Sequence, residues 1–347
     1  MLGQLDADNG YDAAALGMMR RTLIVIGQGG GQGIMNGILS ISDSDTGQSL
    51  MLRRTALATL FGGVALAGFI GTAQAEGLVA GEIAALQFAL NLQYLTTNFL
   101  QAAIYGDGRQ LQADNIRGGE LSGEPGVVVT TAKQVRFPAA TRDIQARVQE
   151  IGDEHWYRNL LLRALLRADV VAQKTIDLSP ATFTAMFRLA GVIDAGTTFD
   201  PYSSPLNLLL ATETLISVQA SVISAMLPSF DNDILRATMA AFAASVGGDA
   251  ATIRSMLYAQ GQAAAIDKLA AWRDRVDGTA VTDRGLSATM TNGNATTRIA
   301  LTDADGLLIG RTPAQALNVL FMTSGAVTTG GFFPTGINGA ITRSAAN

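Results

Sequence analysis

Between residues 139 and 167 the chain places Ile144, Val148, Ile151, His155, Arg158, Leu162 and Leu165 at steps of 4, 3, 4, 3, 4 and 3. That spacing puts all seven side chains on one helical face, the seam by which a helix packs into a bundle. Two members of the seam, His155 and Arg158, are polar. Three other long segments share the helical character. Over 80–105, Phe88, Leu92, Leu95 and Phe99 form one stripe, and Leu86, Leu90, Gln93 and Thr97 form its neighbour. The Gly-Asp-Gly at 106–108 stops that helix. Over 205–227, Leu209, Thr212, Ile216, Gln219 and Ile223 align, with Pro205 near the start and Pro228 beyond the end. Over 231–258, Leu235, Phe242, Val246, Asp249, Ile253 and Met256 line a seam in which Asp249 is the single charge. Four such helices specify an all-α helix bundle. The long link between the second and third suits a crossover connection, and a shorter helix is expected within it at 180–191.

Two further stretches are legible. The Gly-rich link 106–135 carries Val127-Val128-Val129-Thr130-Thr131, which predicts a short hairpin. Beyond residue 276 the composition shifts to Thr, Asn, Gly and Asp, interrupted by one helix at Thr312-Pro313. Thr312 suits the N-cap, Pro313 the first helical position, and Gln315 completes a capping box. Asp303–Gly306 has a fragment of calcium-loop spacing without the Glu of loop position 12, so a turn is expected. The apolar tail "GGFFPTGINGAI" is expected to pack on its own bundle or on a neighbour.

Composition narrows the function classes. At 48% hydrophobic and 15% charged residues, a large core is expected over the 347-residue chain. The net charge of −5 and the lack of any Lys/Arg block argue against a nucleic-acid partner. Cysteine is absent, which excludes disulfides, thiol nucleophiles, Cys-based zinc sites and iron–sulfur clusters together. Residues 51–75 combine Arg53-Arg54, an uncharged apolar run and Ala73-x-Ala75, the pattern of a signal peptide of the twin-arginine (Tat) type cleaved before Glu76. A periplasmic or extracellular address follows, with no membrane span in the mature chain. Translation is then expected to start at Met51, leaving residues 1–50 as an upstream artefact or dispensable leader. The "LIVIGQGGGQG" at 23–33 is no dinucleotide fingerprint, because the third glycine position is Gln32 and no βαβ unit follows. The expected organisation is a leader (1–50), a signal (51–75), a bundle (76–260) and a loop-rich C-terminal extension with short helices (261–347).

The segments "LQFALNLQYLTTNFLQAA", "IGDEHWYRNLLLRALL", "FDPYSSPLNLLLA" and "TDADGLLIGRTPAQALNVLF", with the tail, resemble the ferritin-like proteins of the desiccation-related group, a group common in exported bacterial forms. The resemblance covers most of residues 80–342 and implies a ferritin-like four-helix bundle with a long crossover. It also implies a di-metal site, built from a Glu on each of two helices and Glu-x-x-His on each of the other two. One histidine cannot supply two such motifs. The positions matching the family's ligands are Gln93, His155, Arg158, Ile216, Val246 and Asp249, so the site is degenerate and no metal or other cofactor is expected. Arg158 and Asp249 fall on the two histidine positions. The resemblance therefore implies an Arg158–Asp249 ion pair across the bundle centre, with His155 and Gln93 in its hydrogen-bond network. His155 is read as a buried structural histidine. A Ser245–His155–Asp249 triad lacks a nucleophile elbow. A structural or stress-related exported protein, with possible homo-oligomers, is the functional expectation; a di-iron or di-manganese oxidase or catalase-like enzyme is the alternative.

Overall fold

All four long periodic segments are helices, and their ends lie where the local chemistry puts them. Ser204 Oγ accepts from Asn207 N at 3.1 Å, ahead of Pro205. Asn232 Oδ1 accepts from Ile234 N and Leu235 N at 3.0 and 2.9 Å. Thr312 and Gln315 close the expected capping box, each side chain receiving the other's backbone N–H. Such caps satisfy donors that the first helical turn leaves unpaired. The computed structural model describes residues 77–106, 111–119, 124–131, 133–278 and 283–347, and the signal expected at 51–75 and the stretch before it lie outside these.

In chain order the described helices are α1 (Ala80–Tyr105), α2 (Ala113–Ile116), α3 (Arg142–Leu166), α4 (Pro180–Leu189), α5 (Pro205–Met226), α6 (Asp233–Ala259), α7 (Ala263–Asp277) and α8 (Pro313–Phe321). Helix α1 packs chiefly on α3, and α5 on α6. The first pair is antiparallel: Tyr94 meets Arg163 while Gln101 meets Gly152. The second pair is joined by only a short turn, which forces the same arrangement. The long link from α3 to α5 carries α4 and returns the chain to the other end of the bundle. Glu82 ties two helix starts together, accepting from Val79 N at 3.1 Å and from Asn232 N at 3.0 Å.

The expected stripes are the core. Every seam residue of α3 is buried, His155 and Arg158 included. Helix α5 is long and apolar enough to cross a bilayer, but 89% of its most apolar stretch is buried inside the bundle. In α6 the seam ends on Leu257, and Met256 is only half-buried.

One expectation is corrected. The Val-Val-Val-Thr-Thr run forms no hairpin: β1 (Val128–Val129) pairs in parallel with β2 (Ile176–Asp177), 48 residues on. Gly126 permits that approach, because a Cβ there would lie 2.2 Å from Thr175 N. The described hairpin is instead β3 (Thr289–Thr291) with β4 (Asn294–Thr296) in the extension. The tail packs on its own bundle. Phe332 lies 5.1 Å from the Phe183 ring, and its carbonyl accepts from Asp177 N at 2.9 Å. The Asp303 loop is a turn as expected, Asp303 Oδ1 accepting from Asp305 N and Leu307 N.

The extension is joined to the bundle by buried charge. Glu213, near the middle of α5, accepts from Arg254 of α6 at 3.0 Å and from Arg273 of α7 at 2.9 Å. Arg273 also pairs with Asp283. Asp283 receives Arg311 at 2.9 Å, and Arg311 reaches Asp277 at 2.6 Å. All six residues are at most 1% exposed apart from Asp283 at 4%. Three guanidiniums face three carboxylates, so the network is neutral as a whole. Burial alone would raise the Glu213 carboxyl, but Arg273 and Arg254 reverse this and hold it below its ordinary value. Burial acts the same way on Asp283, and Arg273 and Arg311 bring it down to about 2.

Candidate functional site

Helix α3 delivers two polar groups to the bundle interior because His155 and Arg158 sit three residues apart on its seam. Opposite them, α6 presents Asp249. Arg158 Nη1 donates to Asp249 Oδ2 at 2.6 Å, which is the ion pair that the resemblance implies. Arg158 Nη2 is taken by Glu154, one turn back on the same helix, and by Ser245 Oγ. The Phe242 ring lies 6.0 Å from the guanidinium carbon. One cation is therefore shared between two carboxylates, one buried (Asp249) and one half-exposed (Glu154).

Gln93 of α1 closes the other side. Its Nε2 donates to His155 Nδ1 at 2.9 Å and to the His155 carbonyl at 2.6 Å. Its Oε1 accepts from Gln219 Nε2 at 2.8 Å, which fixes the sense of the amide. Thr96 donates to Gln219 Oε1 at 3.1 Å. A donor at Nδ1 leaves the imidazole proton on Nε2, and Nε2 faces Asp249 Oδ2 at 3.6 Å, beyond hydrogen-bond reach. Nε2 has no hydrogen-bond partner within the described protein, nor do the two amide atoms of Asn159, one turn along α3.

Burial, and then the nearby Arg158 charge, hold His155 well below its ordinary pKa, so the ring is neutral. Burial pushes Asp249 up to about 6. Arg158 opposes that rise, but Glu154 shares the same guanidinium and its charge, with that of Glu150, adds to the rise.

Four of the six matched positions, Gln93, His155, Arg158 and Asp249, meet in one cluster. Ile216 and Val246 are fully buried among the apolar side chains. The α5 member of the cluster is Gln219, one turn beyond Ile216. The only acid of α5, Glu213, lies one turn before Ile216 and is committed to Arg254 and Arg273. Ser245 is engaged by Arg158, so no nucleophile–base contact with His155 forms.

The donor set does not fit two metal ions. Such a site needs bridging carboxylates and two imidazoles from four helices. Here one position is an amide, two are aliphatic, and one is a permanently charged guanidinium, which repels cations. Among the described residues no group of three or more His, Asp or Glu side chains is arranged to hold a metal ion.

Sequence reasoning found the α3 and α6 members through their seam positions. It missed Gln219, although Gln219 stands in the α5 stripe, and it missed the whole Glu213 network. The available signal for the latter was a lone acid in a 22-residue helix that is otherwise uncharged. Such a group must find partners if it is buried.

A family model described as "Ferritin-like domain" matches residues 81–259. Among curated proteins, "Ferritin-like catalase Nec2" of Nesocodon mauritianus is 25% identical over 288 residues, which is 78% of this chain and 88% of that protein. No solved structure matches. The family match spans more than half of the chain, all four bundle helices included, and the chain belongs to the ferritin-like domain family.

Proposed function

We propose that the protein is a non-catalytic ferritin-like protein, exported through the segment at 51–75, with a structural role in desiccation or related stress. The observation that supports this most is the commitment of buried Arg158 to Asp249 between α3 and α6, with aliphatic Ile216 and Val246 at two of the other matched positions. A guanidinium cannot be deprotonated at any physiological pH, so its charge cannot be removed to admit a cation. The polar cluster then serves to fix the register of α1, α3, α5 and α6. Self-association through the outer surface belongs to the same reading, and sedimentation of the mature protein tests it: a monomer at every concentration rejects it.

A catalase-like activity is the second reading, favoured by the name of the relative and by the nearness of His155, Glu154 and Asp249. Metal analysis of protein purified from its native compartment, together with a peroxide-disproportionation assay, separates the two. The first reading expects substoichiometric iron and manganese and no turnover above buffer. Stoichiometric metal that is lost in Asp249→Ala, with peroxide turnover lost in parallel, would establish the second.

A further inference from the structure

Next to the buried charge network, and sharing Asp283 with it, the extension forms a cavity of about 310 Å³ whose lining includes Asp267, Asp283, Arg284, Gly285, Ser287 and Arg298. Two arginines line it, and among the described residues neither side chain has a carboxylate partner. Arg284 Nε is shielded from solvent and has no acceptor among the described residues. The two carboxylates of the lining are already engaged. Asp283 is taken by Arg273 and Arg311, and Asp267 Oδ1 accepts from Leu286 N at 2.7 Å and Ser287 N at 3.0 Å.

The placement of the two arginines is built into the fold. Arg254, fully buried, reaches up from α6 and donates through Nη2 to the carbonyls of Arg284, Gly285 and Arg298 at 2.8, 3.0 and 2.9 Å. Its Nε donates to the Ile299 carbonyl at 2.7 Å. One guanidinium thus holds two separate backbone segments together, and Arg284 and Arg298, one on each segment, both line the cavity. Gly285 completes the wall. A Cβ there would lie 1.9 Å from Asp267 Oδ1, so only glycine lets the loop close on the α7 carboxylate.

We propose that this cavity is a binding site for a small oxyanion-bearing solute, with Arg284 and Arg298 as its two ligands. Planar guanidiniums match carboxylate and phosphate oxygens in pairs of parallel hydrogen bonds. The cavity has room for a phosphate or a small dicarboxylate but not for a polymer. Of the two carboxylates in the lining, Asp283 is neutralised by Arg273 and Arg311, and Asp267 opposes the two arginines with one negative charge, which selects for compact anions that can sit against the arginines and away from it. The site is separate from the His155 cluster and does not depend on how that cluster is read.

The test is titration calorimetry of the purified full-length protein at low ionic strength, with inorganic phosphate in one arm and malate in the other. Saturable one-site binding of at least one anion is expected, and the tighter of the two assigns the ligand as a phosphate or a carboxylate. Arg284→Gln and Arg298→Gln should each weaken binding at least about tenfold. Arg343→Gln, an exposed arginine elsewhere, should leave it unchanged. The absence of saturable binding in both arms, unchanged affinity in the two cavity variants, or equal weakening in Arg343→Gln would overturn the proposal. If Arg284→Gln fails to fold, Arg298→Gln, which removes an exposed side chain, decides the matter alone.

Discussion

Replacing Glu213 by glutamine should destabilise the protein more than its single lost charge would at a surface. The carboxylate is fully buried and accepts from Arg254 Nη1 at 3.0 Å, Arg273 Nη1 at 2.9 Å, Arg273 Nη2 at 3.3 Å and Ser217 Oγ at 3.0 Å. An amide of the same shape keeps one acceptor oxygen and turns an N–H₂ group toward a guanidinium. Arg273 retains Asp283, but Arg254 is left with four neutral backbone carbonyls and no counter-charge. Breaking a buried pair from one side costs about 3–5 kcal/mol. For a domain of this size that lowers the melting temperature by on the order of 10 °C. Urea unfolding with the slope unchanged is the appropriate assay, since it separates lost stability from a changed denatured state. The double variant Glu213→Gln/Arg254→Met restores neutrality and should be less destabilised than the sum of the single variants by more than about 1 kcal/mol. A single-variant loss below about 1 kcal/mol, or strict additivity, would refute the view that compensation of buried charge holds the extension to the bundle.

The central cluster should respond asymmetrically: Arg158→Met leaves Asp249 and Glu154 facing each other and should cost about 3–5 kcal/mol, whereas Asp249→Asn leaves Arg158 with Glu154 and should cost less than half of that, both read by urea unfolding. Asp249 is raised to about 6 in the folded state, so the folded protein binds its proton more tightly than the unfolded chain; the stability of wild type relative to Asp249→Asn should increase as pH is lowered through 6 and decline as it is raised, and a flat difference between pH 4 and 8 would contradict this. Asp283 behaves oppositely: held at about 2 by Arg273 and Arg311, it contributes fully above the ordinary carboxylate range, and the advantage of wild type over Asp283→Asn should vanish as pH falls through 2. The single histidine makes its imidazole signals unambiguous in a proton NMR titration, and they should not move between pH 8 and pH 6; titration near 6.5 would show that His155 is not the buried neutral ring described here.

The bundle was readable because helix packing writes a period into the chain. The seam from Ile144 to Leu165 is buried at every member, and the α5 stripe from Leu209 to Ile223 likewise. The caps at Ser204, Asn232 and Thr312 are local chemistry between neighbours, which a sequence displays directly. Failures came where partners are distant. Val128 and Val129 read as half of a hairpin, but their partners Ile176 and Asp177 arrive through the crossover. The α7 segment was placed only within a region of short helices, although it runs from Ala263 to Asp277 and buries Arg273 and Asp277 on its inner face.

The sequence by itself determined the four helices, their inward faces, and the presence of one histidine, one arginine and one aspartate in those faces where the family's ligands would stand. Those are properties of spacing and residue type, and periodicity carries them. Only the tertiary structure decided which charge answers which. Arg158 is divided between Asp249 and Glu154, the α5 contribution passes from Ile216 to Gln219, and buried Glu213 meets two arginines from α6 and α7. Partner choice among buried charges is set by distances between segments that are remote in the chain, and no local pattern encodes those distances.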